Sequence, residues 1–373
     1  MDKIKILQIN KLYYPVVGGI EKIVQQLAEG LNDKTDMKVL VCRKKGMGKT
    51  ENINGVEVRK ASSLGIYFSM PVSFSFFLCL KKMSKDRDVL LFHMPFPLGD
   101  MAALMSGFKG KIVVWWHSDI VKQKNIMWLY EPIMNKFLKR ADLIIVATKG
   151  HIDGSKYLNQ YRKKCVVIPY GIDGKIMRDS KSCEVRVKKD KDINFLFIGR
   201  LVYYKGCQVL LEAFSKLKTG KLIVAGEGVL KETLKKQAEK LKITGRIKFE
   251  INPSDKRVME LYRKCDVFVL PSVERSEAFG LVQAEAMAYG KPVINTRLES
   301  GVPYVSVDKL TGITVEAGNA KELSKAMEYL IENPDVREKM GIEAKKRAYE
   351  NFSEEKMIEK TLKILNSVSR KVD

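Results

Sequence analysis

The chain has little of what marks a metal site: three histidines in 373 residues, His93, His117 and His151, and six cysteines without a single CxxC pair. Neither set has the spacing of a zinc or iron ligand group, so no metal is expected. Cys42, Cys79, Cys165, Cys183, Cys207 and Cys265 are scattered, most of them inside apolar runs such as VLVC and KCVVIPY. They read as buried thiols in a reducing compartment. A secretory leader is missing as well: MDKIKILQIN enters a strand pattern directly, with no apolar core and no small-residue cleavage site, so a cytoplasmic location is expected. No internal repeat and no low-complexity tract is visible, which excludes a solenoid. Charge makes up 30% of the chain without long blocks of one sign, which speaks for a folded protein over a disordered one.

What is present is length, apolar content and positive charge. The 373 residues, 45% apolar, exceed what one core usually serves and predict two domains. The formal charge is +23, and it is uneven: residues 1–175 carry 29 Lys and Arg against 15 Asp and Glu, a net +14, while 176–373 carry 38 against 29, a net +9. Such a balance fits either a generally lysine-rich surface or an anionic partner, phosphate or lipid. One uncharged run, Ala61 to Leu80, has the length of a membrane span. Gly65, Pro71 and five serines break it, so a buried strand-loop-helix is favoured over a span, with an interfacial element as the third reading.

Short Val/Ile/Leu-rich runs alternate with segments of helical period, the pattern of βα units around parallel sheets. KIKILQI, MKVLVC, VLLFHM, KIVVWWH, LIIVAT and KCVVIPY form one series; NFLFIGR, KLIVAGE, RIKFEI, VFVLP, KPVINT and TGITVE form a second. Two doubly wound α/β domains follow. Pro and Gly punctuate the chain at Ile168 to Asp173, and a charged, weakly periodic stretch from Ser180 to Asp192 suits a linker.

Two glycine motifs mislead. Gly46-Met47-Gly48-Lys49-Thr50 mimics the end of a phosphate loop, but Arg43 stands where the first glycine belongs and a turn-strand pattern follows in place of a helix. Gly226-Glu227-Gly228 starts a dinucleotide fingerprint whose third glycine is Lys231.

Other motifs fall at strand ends, where doubly wound sheets bind ligands. Gly18-Gly19-Ile20-Glu21 follows the first strand and opens a helix whose amides suit a phosphate. Gly199-Arg200-Leu201-Val202-Tyr203-Tyr204-Lys205-Gly206 sets two cations beside a strand-to-helix turn, a fork and a point charge able to hold a diphosphate. In SEAFGLVQAEAMA, Glu277 precedes a helix expected to start near Phe279, and Glu285 lies about two turns down, roughly 9 Å along its axis. The amides of Gly280 and Leu281 would point at the same ligand. His117 and Asp119 end the strand VVWWH.

The order GGIE, IPYGID, GRLVYYKG and SEAFGLVQAEAMAYGKPVINT closely resembles the GT-B glycosyltransferases of family 4, over nearly the whole chain including the terminal NFSEEKMIEKTLKIL. That resemblance implies two Rossmann-like domains facing across a cleft, 1–173 with 355–373 and 174–354, the C-terminal helix crossing back. It implies a retaining transfer of a hexose from a UDP- or GDP-sugar, without metal or other cofactor. Arg200 and Lys205 are then expected on the donor diphosphate, Glu277 on the transferred sugar and Glu285 on the ribose. Phe279, Gly280 and Leu281 are expected to line the donor, and Gly18 and Gly19 its phosphate side. His117 is expected near the reacting carbon, and Glu21 and Asp119 on the acceptor side.

The acceptor expected from the basic first half and FSFFLCL is a lipid-linked oligosaccharide of surface polysaccharide synthesis, O-antigen or capsule-like, met peripherally at an anionic membrane. An epimerase or phosphorylase of the same architecture is the alternative, although no pyridoxal-lysine motif is seen. A nucleic-acid-binding protein is a more distant one, without interleaved aromatic and basic strands or a helix-turn-helix to support it.

Overall fold

The structure is a computed structural model. It describes residues 3–16, 18–67, 70–120, 124–185 and 189–369. Val17 of the glycine-pair motif, Phe68 and Ser69 of the uncharged run, 121–123 after the histidine motif and 186–188 of the expected linker lie outside the described residues. The chain forms two compact units, Met1–Gly171 with Glu354–Asp373, and Ile172–Ser353.

The first unit contains the strands β1 (Lys5–Ile9), β2 (Asp36–Cys42), β3 (Lys49–Ile53), β4 (Val56–Ala61), β5 (Gly65–Tyr67), β6 (Met70–Val72), β7 (Val89–Met94), β8 (Lys111–Trp116), β9 (Leu143–Val146) and β10 (Cys165–Val167). Its helices are α1 (Gly19–Asn32), α2 (Ser75–Met83), α3 (Pro97–Ser106), α4 (Lys124–Arg140) and α5 (Lys149–Asp153). Eight strands make one sheet in the order β10-β9-β8-β7-β1-β2-β4-β3, parallel except for β3 against β4. All six strands read from the first series are there. The β3–β4 hairpin, turned by Asn54-Gly55, takes the place of the false phosphate loop: Lys49 and Thr50 start a strand, not a helix. Central β7 is buried at every position, as a parallel strand covered on both faces must be. Helix α1 earns its place with a stripe of Ile23, Val24, Leu27, Ala28 and Leu31 on one face.

The second unit runs α6 (Gly174–Lys181), β11 (Asn194–Ile198), α7 (Cys207–Ser215), β12 (Lys221–Ala225), α8 (Lys231–Lys240), β13 (Ile247–Glu250), α9 (Asp255–Lys264), β14 (Val267–Val269), α10 (Leu281–Ala288), β15 (Val293–Arg297), α11 (Val302–Val305), β16 (Gly312–Glu316), α12 (Ala320–Glu332) and α13 (Pro334–Asn351). Its sheet, β13-β12-β11-β14-β15-β16, is wholly parallel and doubly wound. The expected linker is in part structured. Asp173 caps α6 by accepting from Lys175 N at 2.7 Å, and Ser180 bonds Tyr349 of α13 at 2.9 Å. Ile172 belongs to this unit because its N–H donates to Phe352 O at 2.7 Å.

The last helix, α14 (Glu354–Ser369), returns to the first unit and packs on α1. Gly30 of α1 leaves room there for Ile358, and Gly171 N–H reaches Met357 Sδ at 3.2 Å. All six cysteines are unpaired, with Cys42, Cys207 and Cys265 buried.

Candidate active site

In each sheet the strand order reverses at one place, and a doubly wound fold opens a crevice at the C-terminal ends of the strands there. In the second unit the reversal lies between β11 and β14. The first strand ends at Gly199-Arg200, the second at Leu270-Pro271-Ser272. The chain then makes a short 3-10 turn, Tyr203–Lys205, and enters α7 through Gly206, whose φ is +69°. A side chain at Gly206 would overlap the Pro271 carbonyl, so glycine there lets the two loops close on each other.

That closure brings Lys205 to Glu277. Lys205 Nζ lies 2.5 Å from Glu277 Oε2, and both side chains are about nine-tenths buried. Ser272 Oγ donates to the same oxygen at 3.1 Å. The pair fixes the position of both groups, and the three ammonium protons leave Lys205 able to bind an oxyanion besides Glu277. Arg200 is exposed, and its Nη2 donates to Tyr204 Oη at 2.6 Å. Tyr204 also lies under both cations, with Arg200 Cζ at 6.0 Å and Lys205 Nζ at 5.9 Å from its ring centre. It aims the two cations from one platform, a role that the sequence reading of the motif did not see.

Helix α10 starts at Leu281, not near Phe279, because Gly280 is left-handed at φ +70° and serves as its N-cap. A Cβ at Gly280 would press on Leu270 and Gln283. Glu285 therefore sits one turn into the helix, and the buried hydroxyl of Tyr262 donates to its Oε2 at 2.8 Å. The ring of Phe279 is spent on packing, edge-on to Phe352 with centres 5.8 Å apart, and its carbonyl accepts from Gln283 Nε2 at 2.9 Å. Gln283 in turn accepts from Asn295 Nδ2 at 3.2 Å, and Asn295 also donates to the carbonyls of Val302 and Ser306. This buried amide network braces the start of α10. The Gly226-Glu227-Gly228 turn is drawn beside the Arg200 loop by Leu201 N–H to Glu227 O at 2.9 Å.

In the first unit the reversal lies between β1 and β7. Here the polar centre is uncharged. His93 is the penultimate residue of β7 and pairs in register with Trp115; His117, two residues beyond Trp115, points the same way. His93, Trp115, His117 and Tyr170 stack nearly parallel, with neighbouring centres 5.1 to 6.3 Å apart. Gln8 Nε2 donates to Val24 O at 3.0 Å, so the group facing His93 Nε2 at 2.9 Å is the amide NH2. His93 Nε2 must accept, which makes Nδ1 the donor to His117 Nε2 at 2.8 Å, and His117 Nδ1 the donor to Tyr170 Oη at 2.7 Å. Burial pushes His93 down to about 3 and His117 well below the ordinary imidazole value; His151, whose Nδ1 faces Thr148 Oγ1 at 2.9 Å, falls to about 4. His117 is thus a neutral ring with both nitrogens engaged inside the protein. A reading of the two strand-end histidines together, in parallel register, could have found His93.

Asp119 braces its loop: Oδ1 accepts from Trp116 Nε1 at 3.2 Å and from Ser155 Oγ at 2.7 Å. Gly18 is extended, and a side chain on it would overlap the Glu21 carboxylate, which folds back over the start of α1; Gly19 faces open space. Nearby charge comes from Lys11, influenced by Glu21 and by Asp100, and burial lowers its ammonium value. Asp100 is fully buried, accepts from Tyr130 Oη, and is pushed well above the carboxylate range by burial. Among the described residues no group of three or more His, Cys, Asp or Glu is arranged to hold a metal ion.

These features have counterparts in known proteins. The family described as "Glycosyl transferases group 1" matches residues 180–347, and "Glycosyltransferase Family 4" matches 17–175. The O-antigen chain mannosyltransferase C of Escherichia coli is 29% identical over 371 residues, spanning 95% of this chain and 96% of that protein. The D-rhamnosyltransferase WbpZ of Pseudomonas aeruginosa is 31% identical over 353 residues, 94% of this chain and 92% of its own length. The chain belongs to the family-4 GT-B glycosyltransferases.

As a glycosyltransferase it shares its fold with Anabaena HepE, solved in complex with UDP and glucose: the TM-score is 0.76 over 98% of this chain and 100% of that one, at 18% identity. Membership makes this glycosyltransferase a group-transfer enzyme, and separates it from the epimerase, phosphorylase and nucleic-acid readings.

Proposed function

We propose that this glycosyltransferase moves a hexose from a UDP- or GDP-sugar, with retention at the anomeric carbon and without a metal, onto a lipid-linked glycan in the assembly of a surface polysaccharide. The observation that carries the donor half is the Lys205–Glu277 pair, held by Ser272 at the strand reversal of the second unit, with Arg200 beside it on Tyr204. Two fixed cations can neutralise a departing diphosphate where other enzymes use a divalent ion. Glu277, already oriented by Lys205 and Ser272, is set to accept from sugar hydroxyls, and Glu285 from the ribose. The backbone of Gly280 and Leu281 supports the phosphates at the start of α10, while Phe279 serves by packing. A carboxylate tied to a lysine and a serine is a poor nucleophile, which supports a front-face departure and return over a covalent sugar-enzyme step.

In the first unit Gly18 and Gly19 serve the phosphate side, Glu21 and Asp119 the acceptor side, and His117 stands near the reacting carbon. His117 acts there as a neutral, fixed group and moves no proton. A glycan acceptor is supported by the names of two relatives, one a mannosyltransferase of the O-antigen chain and the other a D-rhamnosyltransferase. The place of action is the cytoplasmic face of a membrane. Attachment is peripheral in this reading, through the anionic surface that a basic first unit attracts; among the described residues no helix is long and apolar enough to cross a membrane.

The test is a thermal-shift panel of nucleoside diphosphates followed by turnover of the matching nucleotide sugar in EDTA, with the product's anomeric configuration read by NMR. UDP or GDP raises the melting temperature, and turnover with retention continues without metal. An activity abolished by EDTA and restored by manganese overturns the metal-free part, and an inverted product overturns retention.

A further inference from the structure

The uncharged run is the end of β4, the β5–β6 pair and α2: Ala61, Phe76 and Leu80 are buried in the core, while other side chains of the run reach the surface. Tyr67 on β5, and Phe74 and Leu78 at the start of α2, are exposed, Phe74 to 77% and Leu78 to 72%. The last two are four residues apart and share one helical face. The adjacent helix α3 repeats the pattern with Met101 and Met105, and its sole charged residue, Asp100, is buried, so α3 offers water no charge at all. A helix apolar on every side is normally enclosed. On α4, packed against α3, Trp128 is 72% exposed.

The charge around this face is mostly positive, although Asp86 is exposed after Lys85 and Glu131, one turn past Trp128 on α4, pairs with Lys156. From Ser62 to Lys85 there is no Asp or Glu, and Lys81, Lys82 and Lys85 are all exposed. Lys109 follows α3 directly and is exposed too. Aromatic and thioether tips ringed by lysines are what an interfacial element presents to headgroups and acyl chains. A second copy of the chain fits worse: a twofold contact would set the same lysines against each other.

We infer that the exposed tips of β5, α2, α3 and α4 form an insertion face for an anionic bilayer, with Phe74, Leu78, Met105 and Trp128 entering the headgroup boundary and Lys81 and Lys82 on the lipid phosphates. The use of such a face rests on the lipid-linked acceptor proposed above, but its binding to a bilayer needs no glycan and no donor.

The full chain is therefore mixed with phosphatidylcholine vesicles with and without phosphatidylglycerol, none carrying a glycan. Co-flotation and tryptophan emission are followed. Trp115 and Trp116 are already buried, so a blue shift on binding reports Trp128. Binding to the anionic vesicles with a blue shift is expected. Phe74→Ser with Leu78→Ser weakens it by at least about tenfold, and Lys81→Glu with Lys82→Glu does the same, while both variants keep the nucleotide-induced rise in melting temperature. Flotation with no shift at Trp128, or flotation unchanged in the Phe74/Leu78 variant, overturns insertion and leaves general charge attraction. A vesicle-free dimer that this variant disperses overturns it in favour of a second copy. Loss of nucleotide response in wild-type protein that still binds vesicles would count against the donor reading alone.

Discussion

The two units of this glycosyltransferase share a doubly wound frame and a reversal of strand order, yet their polar centres at that reversal are opposites. In the first unit Gln8, His93, His117 and Tyr170 form a buried chain of neutral hydrogen bonds. In the second, Lys205 and Glu277 meet as an ion pair, with Arg200 exposed beside them. The surfaces differ as well. Among the described residues, eleven of the sixteen exposed large apolar side chains lie in the first unit, most of them on adjoining elements, whereas the second has Tyr203, Val229, Leu310, Tyr329 and Ile342. The net charge follows the same division: 33 Lys and Arg against 18 Asp and Glu, or +15, in the first unit, and 34 against 26, or +8, in the second. A common fold supplies the place for a site, and the side chains at that place decide its electrostatics.

The largest effect is expected from breaking the charged centre. Lys205→Met strands the Glu277 carboxylate in a buried place and lowers stability by about 3–5 kcal/mol. Adding Glu277→Gln removes the stranded charge and recovers most of that loss, although not the activity. Urea unfolding of the two variants decides it: a double variant as unstable as the single one shows that Lys205 matters for packing and not for its partner.

A smaller effect separates ligand contact from support within the second unit. Arg200→Ala, at an exposed position, lowers donor affinity by about 1.5–3 kcal/mol, ten- to a hundredfold, with stability unchanged. Glu285→Ala loses donor affinity too, but it also removes the acceptor of the buried Tyr262 hydroxyl and costs about 1–3 kcal/mol of stability. Calorimetric titration with the nucleotide, beside melting curves, reads both quantities; equal melting temperatures for the two variants contradict the difference drawn here.

The smallest effect for a single group and a single pH unit belongs to the three buried histidines. A histidine depressed in the folded state stays unprotonated there while the unfolded chain takes up a proton below about 6.5. The stability from His93, His117 and His151 is complete above that value and is lost as pH falls toward about 3 for His93 and about 4 for His151. Each contributes a slope of about 1.4 kcal/mol per pH unit in that window. Urea midpoints measured from pH 7 down to pH 5 test it, and a level profile would falsify the neutral, enclosed state of the three rings.

Much of the fold could be read before any coordinates. Apolar runs of five or six residues alternating with helical period are local consequences of burial on both faces of a parallel sheet, and all twelve strands read that way exist. The β3–β4 and β5–β6 pairs were harder to see, since Lys49 to Ile53 is polar and half exposed and Gly65 to Val72 is short and broken by proline. At the site, residue type and strand-end position picked out Arg200, Lys205, Glu277, Glu285 and His117, because chemistry of that kind is carried by individual side chains.

What the sequence determined by itself is therefore the frame, the family resemblance and the identity of most polar groups at the strand ends. Their partners were decided by tertiary structure. Lys205 and Glu277 lie far apart along the chain and meet because Gly206 lets one loop close on Pro271. His117 reaches His93 only through the register of β7 and β8, and Glu285 reaches Tyr262 only through the packing around α10. The reason is physical: periodicity and propensity act over neighbouring residues, whereas charge state, hydrogen-bond direction and exposure depend on what the folded chain places within a few ångströms.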